Sequence, residues 1–204
     1  GIIGAGFIGG VHAYAVRAAG GRLTRIADVT PEASQRAASR HGAEGAAASP
    51  EELIASDDVD VVHICTPNST HAALAELAIS HGKAVICEKP LATTAADAER
   101  VTTAAREAGV VTAVPFVYRF HPNVRETRAR IAAGEAGRLW MLHGSYLQDW
   151  LSRSDDTNWR VDPTVGGVSR AFGDIGVHWC DLMEFVTGQR IVNLSARTAR
   201  AYGD

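Results

Sequence analysis

Three glycines near the start of the chain constrain its fold more than any other feature. Gly4, Gly6 and Gly9 form the pattern G-x-G-x-x-G directly after a short apolar run and before a helical stretch, which is the context of a dinucleotide-binding turn. In such a turn the first glycine permits a tight bend, the second lets a pyrophosphate approach and the third lets helix and strand pack closely. The pattern predicts a βαβ unit whose helix begins near Phe7 and Ile8 and binds phosphates at its N-terminus.

An acidic residue at the end of the second apolar run strengthens this interpretation. Asp28 lies 19 residues after Gly9, where a carboxylate hydrogen-bonds the ribose 2′-hydroxyl of NAD. Its charge repels the 2′-phosphate of NADP, and the following Val29, Thr30 and Pro31 supply no basic side chain. The sequence therefore predicts NAD rather than NADP as the cofactor. A structural glycine turn with a solvated Asp28 is the alternative.

Short apolar runs alternate with helical stretches over the first half of the chain, as in a doubly wound parallel sheet. The predicted strands span 1–4, 23–28, 59–66, 84–88 and 110–114, and the predicted helices span 8–19, 31–40, 70–81 and 94–108, with a short one from Pro50. After Pro115 the pattern predicts helices over 122–133 and 173–187 and strands over 139–148 and 191–200. We therefore expect an α/β protein with an N-terminal Rossmann domain at 1–116. A partial C-terminal α/β domain with a predominantly antiparallel open sheet is expected at 117–204.

Composition restricts the possible partners. The 204 residues carry 20 Lys and Arg against 23 Asp and Glu, a net charge of −3, and no basic run, which argues against a nucleic-acid partner. No apolar stretch reaches the about 18 residues that a membrane span needs, and no secretory leader pattern opens the chain. The three cysteines are an odd number for a disulfide framework, so we expect free thiols and a cytoplasmic protein. We also expect a chain truncated at both ends, because its first and last strands lack the residues that usually flank them.

Two polar segments follow predicted strands, at the edge where open parallel sheets bind ligands. The first reads CTPNSTH from Cys65 to His71, and the second reads CEKP from Cys87 to Pro90. Lys89 stands out because only two of the 20 basic residues are lysines. Its compact ammonium can donate to a single oxygen in a way that a guanidinium cannot imitate. An ordinary loop lysine is the alternative.

A third segment places two ionisable side chains four residues apart. If it is helical, Asp174 and His178 share one face, and Asp181 lies three residues further along it. A carboxylate beside an imidazole raises the basicity of the ring and orients it, as a general base at neutral pH requires. A helix-capping aspartate with a half-buried histidine is the alternative. A third metal ligand is missing nearby, so we predict no metal.

Together these motifs resemble the Gfo/Idh/MocA oxidoreductases, the group of glucose-fructose oxidoreductase and inositol dehydrogenase. The resemblance rests on six ordered motifs that cover nearly the whole chain: GIIGAGFIGG, Asp28, CTPNSTHA, CEKP, the segment 116–122 and GDIGVHWCD. It implies an NAD(P)-dependent dehydrogenase that acts on a secondary alcohol of a sugar, inositol or related polyol. It also implies a catalytic set of Lys89, Asp174 and His178, and cofactor contacts from Thr66, Pro67, Asn68, His71, Glu88 and Lys89.

The segment 146–150, at the end of the first predicted strand of the C-terminal domain, and the following segment 158–160 are similar to those of sugar-oxidising members. Aromatic faces with amide and guanidinium donors suit a polyhydroxylated ring. We predict substrate contacts from Tyr118, Gln148, Trp159, Arg160, Asp174 and His178, although Trp159 alternatively fills a core. The resemblance further implies a homo-oligomer formed through the part of the C-terminal sheet that this chain lacks. The competing function is a non-catalytic dinucleotide sensor of the same fold, which has no need of Lys89 or His178.

Overall fold

The computed structural model describes residues 1–199, which form two compact units. The first unit contains Gly1–Pro115 and Asp162–Ser169. The second contains Phe116–Val161 and continues from Arg170. Within residues 1–199, no helix is both long enough and apolar enough to cross a bilayer.

A six-stranded parallel sheet forms the centre of the first unit. Its strands are β1 (Ile2–Ile3), β2 (Arg25–Ala27), β3 (Gly45–Ala46), β4 (Val61–Ile64), β5 (Ala84–Cys87) and β6 (Thr112–Ala113). They lie in the order β3-β2-β1-β4-β5-β6, so the winding reverses beside β1, where such sheets bind ligands. Five of the six strands fall in the predicted runs. The sequence analysis missed β3, because Gly45–Ala46 is too short and too small to produce an apolar pattern.

The sheet is buried on both faces. Ile3 pairs in register with Ala27 on one side and with Ile64 on the other, and Ile64 pairs with Cys87. All four are among the least exposed side chains of the unit, as parallel strands covered by helices require. This packing fixes the carboxyl ends of β1, β4 and β5 at one edge of the sheet.

The first unit contains six of the helices that the structure describes. They are α1 (Phe7–Ala18), α2 (Pro31–His41), α3 (Pro50–Ala55), α4 (His71–Ser80), α5 (Ala95–Ala108) and the short α7 (Pro163–Gly166). The hydroxyl of Thr30 accepts the Ala33 N–H at the start of α2, which stabilises a helix by about 1 kcal/mol. Gly42 then ends α2 in the left-handed conformation, with φ of 65°, where a glycine avoids the strain of a Cβ.

The second unit is helical. It contains α6 (Pro122–Ala132) and α8 (Val177–Thr187), the 3₁₀ turns Val117–Phe120 and Trp159–Val161, and the π-helical turn Phe172–Gly176. The guanidinium of Arg128 lies 4.2 Å from the centre of the Phe185 ring, which attaches α6 to α8 by a cation–π contact. Arg119 makes a forked ion pair with Asp181 of α8. Asp181 therefore has a structural partner in this unit.

The predicted antiparallel sheet is wrong for the residues that the structure describes. All strands found within residues 1–199 belong to the parallel sheet of the first unit, and the segments 139–148 and 191–199 are irregular. Arg200, the last residue of the second predicted strand, lies outside the described residues. Apolar alternation produces a strand only where a neighbouring strand supplies hydrogen bonds. Neither segment pairs with another strand, and Trp140, Leu147 and Val192 remain at least 80% exposed.

Candidate functional site

The glycine loop between β1 and α1 leaves open space at one position only. A Cβ on Gly9 would lie 2.1 Å from the Gly4 carbonyl oxygen, and one on Gly4, where φ is +88°, would lie 2.8 Å from the Cys65 carbonyl oxygen. These two glycines are therefore required by packing. A Cβ on Gly6 would meet nothing within 4 Å. Packing does not explain this glycine, whereas the approach of a ligand to the backbone does.

The first turn of α1 presents backbone N–H groups next to this open position. Gly6 is the N-cap residue and has no side chain to bond them, and the neighbouring Phe7 is exposed. Uncapped amides and the helix dipole together favour a negatively charged group. The loop therefore fits a phosphate-bearing ligand.

Asp28 borders the same loop from the end of β2. One of its carboxylate oxygens accepts the Ala5 N–H at 3.2 Å, and the other accepts the Val29 N–H at 2.7 Å. The Asp28 N–H donates to Ser34 Oγ at 2.8 Å. Backbone contacts thus hold the carboxylate at the glycine loop, where its remaining acceptor positions suit a ribose hydroxyl.

The segment after β4 is held by its own side chains. Thr66 and Thr70 share a hydroxyl–hydroxyl contact of 2.6 Å, and the Asn68 amide donates to the Gly166 carbonyl at 2.8 Å. His71 is only 1% exposed, and its ring nitrogens lie 2.7 Å from the Pro90 carbonyl oxygen and 2.8 Å from that of Thr66. His71 therefore contacts the main chain, while Thr66 and Pro67 are only half-buried.

The segment after β5 carries Glu88 and Lys89. Glu88 is 8% exposed and accepts a hydrogen bond from His12 at 3.1 Å and from the Lys89 N–H at 3.1 Å. Lys89 is half-buried, and its bond to Pro90 is cis. The carboxyl ends of β4 and β5 thus bring the CTPNSTH and CEKP segments together, as the sequence predicts.

Two histidines of this region, His12 and His63, are absent from the site residues that the sequence predicts. His12 projects from α1 and contacts both Glu88 and His63 of β4, with 2.9 Å between the Nδ1 atoms of the two histidines. In the sequence, the position of His12 near the site is indicated only by its spacing of one helical turn from Gly9. Its partner Glu88 is 76 residues away in the chain.

The two cysteines at the strand ends are packed residues. Cys65 and Cys87 are free thiols and buried. Burial, with a smaller contribution from the Glu88 charge, raises the pKa of Cys87 to about 12 and that of Cys65 further. Thiolate is the reactive form of cysteine, so neither residue is suited to nucleophilic chemistry at neutral pH.

In the second unit, Asp174 and His178 lie on consecutive helical turns of different type. Asp174 belongs to the π-helical turn Phe172–Gly176, and His178 belongs to α8. Short π-helical stretches occur often at functional sites. One oxygen of Asp174 accepts from Arg160 Nε at 3.2 Å, and the guanidinium of Arg160 lies 4.5 Å from the centre of the Trp159 ring.

Aromatic rings surround His178. The ring of Tyr118 lies 5.1 Å away, that of Phe116 6.0 Å and that of Tyr146 6.1 Å, all edge to face. The hydroxyls of Tyr118 and Tyr146 are 2.5 Å apart, and Gln148 donates to the Tyr146 hydroxyl at 2.9 Å. The bond to Tyr146 and burial raise the pKa of Tyr118 to about 12, so the Tyr118 hydroxyl stays protonated at neutral pH.

The second unit thus joins its predicted site residues through side-chain contacts. Arg160 and Trp159 join Asp174, and Tyr118 joins His178, with Gln148 attached through Tyr146. The sequence analysis missed Tyr146, although it lies two residues from Gln148. Among residues 1–199, no group of three or more His, Cys, Asp or Glu side chains is arranged to hold a metal ion.

Two family models match the chain. Residues 1–116 match a GFO/IDH/MocA model described as an oxidoreductase family with an NAD-binding Rossmann fold. Residues 124–204 match the model of the GFO/IDH/MocA C-terminal domain.

Among curated relatives, levoglucosan dehydrogenase from Pseudarthrobacter phenanthrenivorans is 36% identical, and the match covers 93% of this chain and 51% of that protein. Inositol 2-dehydrogenase from Rhizobium meliloti is 35% identical over 100% of this chain and 60% of that protein. A solved structure of levoglucosan dehydrogenase in complex with NADH and levoglucosan has a TM-score of 0.87 and 35% identity, over 92% of this chain and 53% of that one. The chain thus spans only 51 to 60% of the length of these two curated relatives.

Proposed function

This chain belongs to the Gfo/Idh/MocA oxidoreductase family, and on that premise we propose that it is part of an NAD-dependent dehydrogenase. The substrate that we propose is a secondary alcohol of a sugar, inositol or related polyol. The observation that carries the proposal is the glycine loop, where Gly6 alone is open to a ligand and Asp28 is held at the same edge. The relatives named levoglucosan dehydrogenase and inositol 2-dehydrogenase support the substrate class.

The first unit supplies the residues that would hold NAD. The backbone from Gly4 to Gly9, including the first-turn residues Phe7 and Ile8, would hold the pyrophosphate. The Asp28 carboxylate would accept hydrogen bonds from a ribose and repel the 2′-phosphate of NADP. Further contacts are proposed from Thr66, Pro67, Asn68, Glu88 and Lys89. His71 would support Thr66 through its contact with the Thr66 carbonyl oxygen.

Three residues would perform the proton chemistry. When bound, the nicotinamide supplies the acceptor for the hydride that leaves the carbinol carbon. His178 would accept the hydroxyl proton as the carbon–oxygen double bond forms. Lys89 would donate a hydrogen bond to the same oxygen and stabilise its developing negative charge. Asp174 would stabilise the positive charge that His178 gains.

The second unit supplies candidate contacts to the polyol. The hydroxyls of Tyr118 and Tyr146 and the amide of Gln148 form one hydrogen-bonded set beside His178. Trp159 offers an aromatic face, which suits the C–H surface of a sugar ring. Arg160 has an ion pair with Asp174, so its proposed role is to orient that carboxylate as well as to contact substrate.

Two further expectations stay predictions. A cytoplasmic location is supported by the three free cysteines. Thiols stay reduced in the cytoplasm, whereas the compartments that receive exported proteins are oxidising. Homo-oligomer formation rests on the family resemblance.

The test uses the full-length protein and a panel of cyclic polyols and sugars that includes levoglucosan and myo-inositol. NADH formation is followed by absorbance, with NAD and NADP in parallel, and calorimetry measures the binding of each cofactor. We expect NAD-linked turnover of one or two panel members. Binding of NAD without turnover of any member would instead favour the non-catalytic sensor.

A further inference from the structure

Two buried histidines bond to the residues on either side of Lys89. The residue before it, Glu88, bonds to His12, and the residue after it, Pro90, bonds to His71. Both histidines are less than 9% exposed. They come from different helices, His12 from α1 and His71 from the start of α4.

On the side of Glu88, both carboxylate oxygens are occupied. Oε1 lies 3.1 Å from His12 Nε2, and Oε2 accepts the Lys89 N–H at 3.1 Å. The Glu88 N–H donates to the Ile64 carbonyl at 2.9 Å. A buried carboxylate is stable when its oxygens are hydrogen-bonded, so removing the His12 donor disturbs the group that holds the Lys89 amide.

His63 fixes the orientation of the His12 ring. The Nδ1 atoms of the two rings are 2.9 Å apart, so one donates and the other accepts. Burial, and to a smaller extent His12, lowers the pKa of His63 to about 4, which makes His63 neutral at neutral pH. If His63 donates from Nδ1, the Nδ1 of His12 accepts and its Nε2–H points at Glu88. These contacts therefore connect β4 through α1 to the Lys89 segment.

On the side of Pro90, His71 joins two main-chain carbonyls. Its Nδ1 lies 2.7 Å from the Pro90 oxygen and its Nε2 lies 2.8 Å from the Thr66 oxygen. The ring therefore bridges the main-chain carbonyls of Pro90 and Thr66. His71 thereby ties the end of the CEKP segment to the end of β4.

We propose that His12 and His71 are positioning residues that hold the main chain on both sides of Lys89 and so orient its amine. A lysine side chain has four flexible bonds, and fixing the backbone at its base restricts where the amine can reach. Small errors in the placement of a reacting group reduce rates steeply. Because His12 lies on α1, the same network ties Lys89 to the helix whose first turn is proposed to hold the pyrophosphate. The inference rests on the proposed function only for the role of Lys89.

The kinetic test compares His12→Leu with His12→Gln in the full-length protein. Glutamine keeps an N–H donor near the place of Nε2, whereas leucine fills the space without a donor. We expect His12→Leu to lower kcat by about 10- to 100-fold and His12→Gln to retain most of it. His71→Leu should behave like His12→Leu, and His81→Leu, at an exposed histidine of the same unit, should match the wild type.

A double-mutant cycle separates positioning from a general structural effect. If His12 acts through Lys89, His12→Leu should lower kcat by less than about twofold in a Lys89→Ala background, because the residues are coupled. An equal loss in both backgrounds would overturn the proposal.

A second readout does not depend on turnover. Lysines of the folded full-length protein are reductively methylated with a ¹³C label, and the Lys89 signal is assigned by its loss in Lys89→Arg. We expect this signal to shift or broaden in His12→Leu and His71→Leu and to stay near its wild-type position in His12→Gln and His81→Leu. A Lys89 signal unchanged in all four variants would refute the positioning role. A protein without turnover whose Lys89 signal still responds would refute only the proposed function.

Discussion

The two units hold their candidate functional groups in different ways. In the first unit, main-chain atoms fix the side chains: Asp28 accepts two backbone N–H groups, and the His71 ring lies within hydrogen-bond distance of two backbone carbonyls. In the second unit, side chains fix one another, as in the Arg160–Asp174 pair and the contact between Tyr118 and Tyr146. Groups held by the main chain depend on the fold as a whole. Groups held by neighbouring side chains can be changed with less effect on stability.

The difference predicts where substitutions act. Substitutions near the sheet edge of the first unit should alter folding and cofactor binding together. The exception is a position such as Gly6, where an added side chain meets no neighbouring atom. Changes in the networks of the second unit should alter turnover first.

The largest effect is expected from Gly9→Ala. Its Cβ would lie 2.1 Å from the Gly4 carbonyl oxygen, so the loop and α1 must separate, at a cost on the order of 3 kcal/mol in the free energy of unfolding. Thermal unfolding of the full-length protein measures this loss. Gly6→Ala is the matched control: its Cβ meets nothing within 4 Å, so stability should be retained while NAD binding weakens about tenfold. Equal free energies of unfolding for Gly9→Ala and Gly6→Ala would contradict the packing role assigned to Gly9.

The next largest effect is expected from His178→Asn. Without the imidazole, kcat/KM should fall by about 100-fold or more, and its rise with pH should disappear because a base must be deprotonated to accept a proton. Steady-state kinetics across pH measures both. His143→Asn, at an exposed histidine of the same unit, should leave the profile unchanged. If His178→Asn keeps the wild-type profile, another group is the base.

A smaller effect is expected from Asp28→Asn. The single amide oxygen can accept from the Ala5 N–H or the Val29 N–H but not from both, so the free energy of unfolding should fall by about 1 kcal/mol. The negative charge is lost, and the preference for NAD over NADP should fall about tenfold, the equivalent of one charge-assisted hydrogen bond. This preference is measured as the ratio of kcat/KM with NAD to kcat/KM with NADP. An unchanged ratio would remove Asp28 from cofactor selection.

The smallest effect is expected from alkylation of the cysteines. Because their pKa values are raised by burial, Cys65 and Cys87 have little thiolate and should stay unmodified by iodoacetamide in the folded protein. Cys180 is less buried and should react first. Peptide mass spectrometry identifies the modified sites, and a denatured sample provides the control in which all three react. Rapid modification of Cys87 in folded, active protein would contradict the tight packing of the first unit.

The same contrast explains what the sequence could predict. The apolar runs VVHIC and AVIC predict buried parallel strands, and the structure confirms them as β4 and β5. The position of Asp28 follows from the regular length of a βαβ unit. These predictions succeed because regular hydrogen bonding gives sequence patterns a fixed spacing.

Other features depend on contacts between distant residues. The bond between His12 and Glu88 spans 76 residues, and no periodicity links the two. Tyr146 contacts Tyr118 from an irregular segment that the sequence pattern assigns to a strand. The antiparallel sheet was predicted wrongly for the same reason, because alternation at 139–148 and 191–200 does not specify a pairing partner.

The central claim is that Lys89 takes part in hydride transfer to NAD, and the sequence offers an internal control for it. Lys83, the other lysine of the chain, donates to the carbonyls of Ser56 and Val59 at 2.9 and 2.8 Å, which a guanidinium can also do. The measurement is kcat/KM of the full-length protein for its best polyol, with NAD affinity from calorimetry, for Lys89→Arg and Lys83→Arg. We predict a loss of about 100-fold or more for Lys89→Arg with NAD affinity retained, and wild-type values for Lys83→Arg. Wild-type turnover by Lys89→Arg would contradict the account.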